Sequence, residues 1–282
     1  MIGATRLEAL RAQVRDWKRD DLRIGLVPTM GNLHAGHRSL VRLARTQADR
    51  VVASVFVNPT QFGPGEDFER YPRTPEADLE GLREAGCDLA WMPEVDTMYP
   101  FGPDATVQVH VPGVTDSLEG AHRPGHFDGV ATVVVRLFNQ VGPDLAVFGR
   151  KDYQQLAVIR YLARDLAFPL EIVAGDTVRE DDGLAMSSRN QYLSAEERAR
   201  APALHATLRD LRDALVEGIP RDLAEKDAAD TLRAAGFDVD YIVVRRRDLS
   251  LPDADACGAL VALAAARLGR TRLIDNLEFE LH

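Results

Sequence analysis

Short apolar runs alternate along the chain with longer stretches in which apolar residues recur every three or four positions. The runs read as strands buried on both faces, and the recurrent stretches as amphipathic helices. A surface helix over residues 5–19 leads into the first run, Ile24 to Val27. Leu40, Val41, Ala44 and Ala48 then share one face of a helix from about His34 to Ala48, and Val51 to Val57 is the next run. Strand, helix and strand within roughly 35 residues make a βαβ unit. The pattern continues with a helix over Glu76–Glu84, a strand over Leu89–Met92, an irregular stretch over 93–124 that reads as a lid or loop, and a helix over Val130–Val141. A strand at Asp144–Gly149, a helix to about Ala167 and a strand at Pro169–Ala174 complete this part.

From about residue 194 the order changes. Helices over 194–217 and 222–235 precede strands at Val239–Arg245, Leu260–Ala265 and Arg272–Asn276, and Ser194 with Glu197 forms a capping box. The fold class expected is α/β: a Rossmann-like, doubly wound parallel sheet, then a second, smaller α+β domain at the C-terminus.

Composition narrows the function. The 282 residues carry a net charge of −10, which argues against a nucleic-acid partner. An anionic substrate would need local cations working against that field, and the candidates are His34, His37, Arg123, Lys151 and Arg189. No apolar run reaches membrane-span length, and Met1 to Trp17 lacks a signal-peptide core. With two cysteines, Cys87 and Cys257, no disulfide framework is expected; the expectation is a cytoplasmic protein with no membrane partner.

The chemistry centres on Val27-Pro28-Thr29-Met30-Gly31-Asn32-Leu33-His34-Ala35-Gly36-His37, where a strand ends and a helix begins. In an α/β sheet that crevice binds ligands, and the first N–H groups of the helix suit a phosphate. Gly36 permits close approach to the backbone. A metal pair is a poor reading, since no HExxH arrangement and no nearby Cys accompany the histidines. Asn58 and Gln61 follow the second strand. The turn-opening and substrate-binding readings of Asn58 stand level, while Gln61 reads as functional. Arg123 and His126 are within reach of a ligand in this reading, although a capping or packing role is favoured for His126. Gly149, Arg150, Lys151, Asp152, Gln154 and Gln155 repeat the strand–glycine–helix arrangement, and Ser187, Ser188 and Arg189 offer donors that can wrap a phosphate chain. No serine elbow, catalytic cysteine signature or Walker A loop is present. Nucleotidyl transfer, which rests on positioning and charge neutralisation, is the best physical match. A nucleotidyltransferase with a phosphorylated acceptor and a non-catalytic nucleotide-binding module are the rivals; the paired amides weigh against the first.

Taken together, these motifs resemble the pantoate–β-alanine ligase family. The resemblance is carried by the Pro28–His37 run, Phe56-Val57-Asn58-Pro59-Thr60-Gln61-Phe62, Tyr71-Pro72-Arg73-Thr74, Leu118-Glu119-Gly120 with Arg123-Pro124-Gly125-His126-Phe127, Phe148-Gly149 with Lys151-Asp152-Tyr153-Gln154-Gln155, Ser187-Ser188-Arg189-Asn190, and Arg272-Leu273-Ile274-Asp275-Asn276. It implies that pantoate attacks ATP to give an enzyme-bound pantoyl adenylate and pyrophosphate. The amine of β-alanine then releases AMP and forms pantothenate, a coenzyme A precursor. Mg²⁺ accompanies ATP in the resemblance, and the metal ligands are unassigned. The implied ATP contacts are Met30, Gly31, Asn32, Leu33, His34, Ala35, Gly36, His37, Gly149, Arg150, Lys151, Asp152, Val178, Met186, Ser187, Ser188 and Arg189. His37 would donate a proton, with His34 and Lys151 beside it in the catalytic set. Gln61 and Gln155 would hold pantoate, with Asn58 and Pro28 also in the substrate set, and Gln61 would meet β-alanine as well. The implied organisation is a nucleotide- and pantoate-binding domain over residues 1–177, a closing C-terminal lid over 178–282, and a homodimer. Two positions depart from the family pattern: Arg150 stands where Glu is usual, and Asp128 where Arg is common.

Overall fold

The computed structural model describes residues 1–253 and 257–282. The chain divides into two compact units, one formed by Met1–Arg150 with Val158–Asp176, the other by Lys151–Ala157 with Thr177–His282. The second unit therefore takes in a short segment that lies within the expected 1–177 domain, and the division at Arg150/Lys151 cuts the Gly149–Asp152 tetrapeptide.

The first unit is built on a six-stranded sheet in the order β1-β4-β3-β2-β5-β6. Its strands are β1 (Ile2–Ala4), β2 (Ile24–Thr29), β3 (Arg50–Val55), β4 (Leu89–Trp91), β5 (Leu145–Gly149) and β6 (Glu171–Gly175), all paired in parallel. The helices are α1 (Leu7–Arg19), α2 (Ala35–Gln47), α3 (Pro75–Glu84), α4 (Val95–Met98), α5 (Glu119–His122), α6 (His126–Val141) and α7 (Tyr153–Asp165), the last beginning in the second unit. Val27, Val41, Ala44, Val51, Leu82, Leu145 and Val147 form one buried cluster between helix and sheet. This is the expected α/β architecture. Strand β1 is an addition: three residues gave too short a pattern to read, and only the pairing of Ile2 with Leu89 makes them a strand.

The direction of strand order reverses at β2, which has β3 on one side and β5 on the other. Strands β2 and β5 pair only at Gly25–Leu145 and Leu26–Ala146. Beyond Leu26 they separate, opening the crevice that follows from such a switch point. The local consequence is visible in Pro28. A proline removes a ladder donor, yet here the β5 side of the strand no longer needs one.

The second unit contains α8 (Ala195–Arg200), α9 (Ala203–Val216), α10 (Arg221–Ala234) and an antiparallel sheet β7-β8-β9 over Asp238–Arg246, Gly258–Leu268 and Thr271–Leu281. Leu204, Leu208, Leu211, Leu232, Val244, Leu260 and Phe279 lie in its core. Ser194 and Glu197 form the expected capping box. The single helix expected over 194–217 is two, because Pro202 lacks an N–H and its ring crowds the carbonyl a turn earlier. The strands outrun their expected ends, since the Ala264-Ala265-Ala266 run has weak strand propensity of its own and is set by pairing on both sides.

Among the described residues, no helix is long and apolar enough to cross a membrane. The irregular stretch at 93–124 holds two short helices and a 3-10 turn at Pro103–Ala105.

Candidate active site

The turn after β2 is shaped by two consecutive left-handed residues, Gly31 (φ 83°) and Asn32 (φ 49°). Asp78 of α3, itself buried, accepts hydrogen bonds from the Asn32 N–H (3.0 Å) and the Leu33 N–H (2.7 Å). A Cβ at position 31 would stand 2.9 Å from Asp78 Oδ2. The glycine is therefore required twice, by its backbone angle and by the carboxylate behind it. In the sequence Asp78 looks like a first-turn acid favourable to the helix dipole. Its role in holding the Met30–Leu33 loop depends on a partner 46 residues away.

His34 is the N-cap of α2. Its Nδ1 accepts from the Gly36 N–H at 3.1 Å, and the His34 N–H donates to His37 Nδ1 at 3.4 Å. The two rings lie 4.1 Å apart, centroid to centroid. A nitrogen that accepts from a backbone N–H carries no proton, so both neutral rings bear theirs on Nε2. The motif thus supplies two Nε2–H donors of fixed tautomer. Protonating either Nδ1 would set it against an N–H donor.

The turn after β3 is a 3-10 helix, Pro59–Gln61. Asn58 is 1% exposed. Its Nδ2 donates to Gln61 Oε1 (3.0 Å) and to the Gly129 carbonyl (3.2 Å), while its Oδ1 accepts from Thr60 Oγ1 (3.0 Å) and Tyr99 Oη (2.5 Å). Both amide hydrogens are thereby engaged in building the turn, which supports the turn-building reading of Asn58. Gln61 has its carbonyl fixed by Asn58, and its Nε2 donates to the Met30 sulfur at 3.3 Å, a weak acceptor. A carboxylate or hydroxyl oxygen is a stronger partner for that amide. The loops after β2 and β3 thus meet through Met30 and Gln61 within the first unit.

His126 secures the same turn from α6. Its Nδ1 lies 2.8 Å from the Gln61 carbonyl, to which it must donate, and its Nε2 accepts from Arg123 Nη1 at 3.0 Å. Burial, joined by the Arg123 charge, lowers its pKa to about 4. The packing role favoured for His126 is the one found. Arg123 in turn is bound to Glu66 (2.6 Å) and Glu119 (3.4 Å), so this candidate cation serves the turn rather than a ligand. Burial alone would raise the Glu66 pKa, but the bond to Arg123 and its charge hold it below the usual value.

A stability measurement checks this assignment. With a folded pKa near 4 against 6.5 for the free side chain, His126 takes up its proton more readily in the unfolded chain. Its contribution is full above pH 6.5 and is lost as pH falls toward 4, by at most about 3 kcal/mol. In urea unfolding from pH 7 to 4, His126→Asn is expected to lose less stability than the parent, because asparagine keeps the donor without the titration. Parallel pH profiles for the two proteins would count against it.

After β5, Gly149 pairs with Gly175 of β6, and both face Leu40 of α2. A Cβ at position 175 would overlap the Leu40 side chain, so the glycine lets the histidine helix lie close on the sheet. Arg150 forms an ion pair with Asp176 at 3.5 Å. Asp128, the other departure, pairs with His110 at 2.9 Å. Helix α7 begins at Tyr153, so Lys151 and Asp152 lie in the turn before it, Gln154 is buried, and Gln155 is partly buried in its first turn.

In the second unit, Arg179 and Ala185 are bridged, and the Met186 N–H donates to the Val178 carbonyl at 3.0 Å. Val178 and Met186 are therefore side by side. Ser187 caps the 3-10 turn Ser188–Tyr192, which contains Arg189.

A sequence model of pantoate–β-alanine ligase matches residues 3–278. The chain belongs to the pantoate–β-alanine ligase family. The pantothenate synthetase of Xanthomonas axonopodis pv. citri is 66% identical over 275 residues, 98% of each chain. That of Stenotrophomonas maltophilia K279a is 64% identical over 273 residues, covering 97% of this chain and 98% of the relative. Among solved structures, pantothenate synthetase from Thermus thermophilus is similar at TM-score 0.92 and 48% identity, covering 98% of this chain and 99% of that one. The pantoate–β-alanine ligase of Francisella tularensis, complexed with beta-gamma ATP and β-alanine, is similar at TM-score 0.83 and 30% identity, covering 98% and 97%. The reaction of this pantoate–β-alanine ligase family member is the ATP-dependent ligation of pantoate and β-alanine.

Proposed function

We propose that the pantoate carboxylate attacks the α-phosphorus of ATP in the crevice beyond β2, β3 and β5. The bond to the β-phosphate breaks, pyrophosphate leaves, and pantoyl adenylate remains bound. The β-alanine amine then attacks the acyl carbon, loses a proton, and expels AMP. The single observation that carries this reading is the joining of the His34–His37 donor turn to the Gln61 amide, through Met30, at the carboxyl edge of one parallel sheet.

In this reading the Nε2–H of His37 hydrogen-bonds oxygen on which charge develops as pyrophosphate departs, and His34 supports it. Met30 to His37, Gly149, Arg150, Lys151, Asp152, Val178, Met186, Ser187, Ser188 and Arg189 contact ATP. Gln61 and Gln155 hold pantoate, Gln61 also meets β-alanine, and Pro28 borders the pocket. Asn58 acts through Gln61. Among the described residues no group of three His, Cys, Asp or Glu side chains could hold a metal. Mg²⁺ would be carried in as the complex with ATP, since Mg²⁺ is commonly held by substrate phosphates. The protein is proposed to act as a cytoplasmic homodimer.

Pyrophosphate release tests the pathway. ATP with pantoate alone is expected to give about one turnover per site, and added β-alanine to make release continuous. Continuous release without β-alanine would overturn the trapped adenylate, and absence of release under both conditions would overturn the reaction. Gln61→Ala is expected to raise the KM for pantoate by roughly tenfold or more, the scale of a buried hydrogen bond left unmade, with a smaller effect on ATP. An unchanged pantoate KM would remove Gln61 from that role.

A further inference from the structure

One dipeptide of β9 ties together two distant segments of the second unit. Asp275 is buried and receives Arg179 in a two-pronged ion pair, Nη1 to Oδ2 at 2.7 Å and Nη2 to Oδ1 at 2.9 Å. The same guanidinium donates to the Gly183 carbonyl at 3.1 Å, so it braces the Arg179–Ala185 hairpin from within. His205 of α9 completes the setting, with Nδ1 3.4 Å from Asp275 Oδ2. Burial works to raise the Asp275 pKa, but the nearby His205 and the ion pair with Arg179 hold it below the usual carboxylate value.

The next residue serves the other segment. Asn276 Nδ2 donates to the Lys151 carbonyl at 2.9 Å. Successive side chains on a strand face opposite sides, so adjacent residues can hold different segments. Glu278, two residues on and therefore on the Asn276 side, accepts from Tyr153 Oη at 2.9 Å. The turn carrying Lys151 and Asp152 is thus fixed to β9 at two points.

We infer that Asp275 and Asn276 are positioning residues for ATP: Asp275, through Arg179, sets the hairpin whose legs carry Val178 and Met186–Arg189, and Asn276 sets the backbone of Lys151. The inference rests on the proposed ATP roles of those segments. Bidentate Arg–carboxylate pairing is directional, and a shift near 1 Å in a positioning element is enough to lose much of the rate.

Two proteins test it. Asn276→Ala removes the donor to Lys151. The double variant Asp275→Leu with Arg179→Met removes the buried carboxylate and its partly buried partner together, which is often neutral for stability while deleting the directional pair. In pyrophosphate-release assays both are expected to show a KM for ATP raised roughly tenfold or more, on the scale of a lost buried hydrogen bond, with the pantoate KM near the parental value. Unchanged ATP KM, or equal changes in both KM values, in the folded proteins would overturn the inference. Should Asn276→Ala fail to fold, the double variant decides. If the parent itself releases no pyrophosphate, the proposed reaction falls, and equilibrium dialysis of ATP against parent and variants still decides the positioning role. Weaker ATP binding by the variants upholds it, and equal binding overturns it.

Discussion

His37→Ala is expected to slow pyrophosphate release from ATP and pantoate by roughly 100- to 1000-fold, the scale for one preorganised transition-state donor. The His37 ring has its Nδ1 turned to the His34 N–H, which places the remaining proton on Nε2. Such a donor needs no reorganisation as charge develops. The substitution also removes half of the capping pair at the start of α2. Loss of a cap costs about 0.5–2 kcal/mol of stability, which a folded domain can tolerate. Thermal melts on the same preparation separate the two effects. A folded variant that releases pyrophosphate at close to the parental rate would exclude His37 from the chemistry.

Gly129→Ala is expected to raise the KM for pantoate by roughly tenfold, and to destabilise the protein by about 1–3 kcal/mol, although position 129 touches no proposed substrate atom. Gly129 lies inside α6, where alanine ordinarily stabilises a helix by about 1 kcal/mol. Here the added Cβ would stand 2.6 Å from the Gln61 amide nitrogen and closer still to the Thr60 carbonyl. Both obstacles are backbone, so the 3-10 turn or the helix must move. The Asn58–Gly129 hydrogen bond would be distorted with them. The effect should fall on pantoate more than on ATP, because Gln61 is the group displaced. Steady-state kinetics against each substrate and urea unfolding read the two consequences. A variant as stable as the parent with an unaltered pantoate KM would show that the turn adapts without moving Gln61.

The sequence by itself determined the parallel α/β core, the later α+β segment, and the polar turns proposed to bind the substrates. These are local properties. Val51–Val57 reads as a buried strand because six of its seven residues are apolar, and the histidine turn reads as a helix start because the apolar period begins just after it. The capping box at Ser194 was legible for the same reason. Tertiary structure alone decided what each buried polar group is bonded to. Asp78 under the Met30–Leu33 loop, His126 under Gln61 and Asn276 behind Lys151 each pair with groups 45 to 125 residues away. No local period encodes such a partner; it follows from strand order, register and helix placement. It also decided the tautomer of the motif. In the neutral rings of His34 and His37 the proton lies on Nε2, because each Nδ1 meets a backbone N–H. Spacing places two imidazoles at a helix start, but only the folded turn fixes where each ring's proton resides.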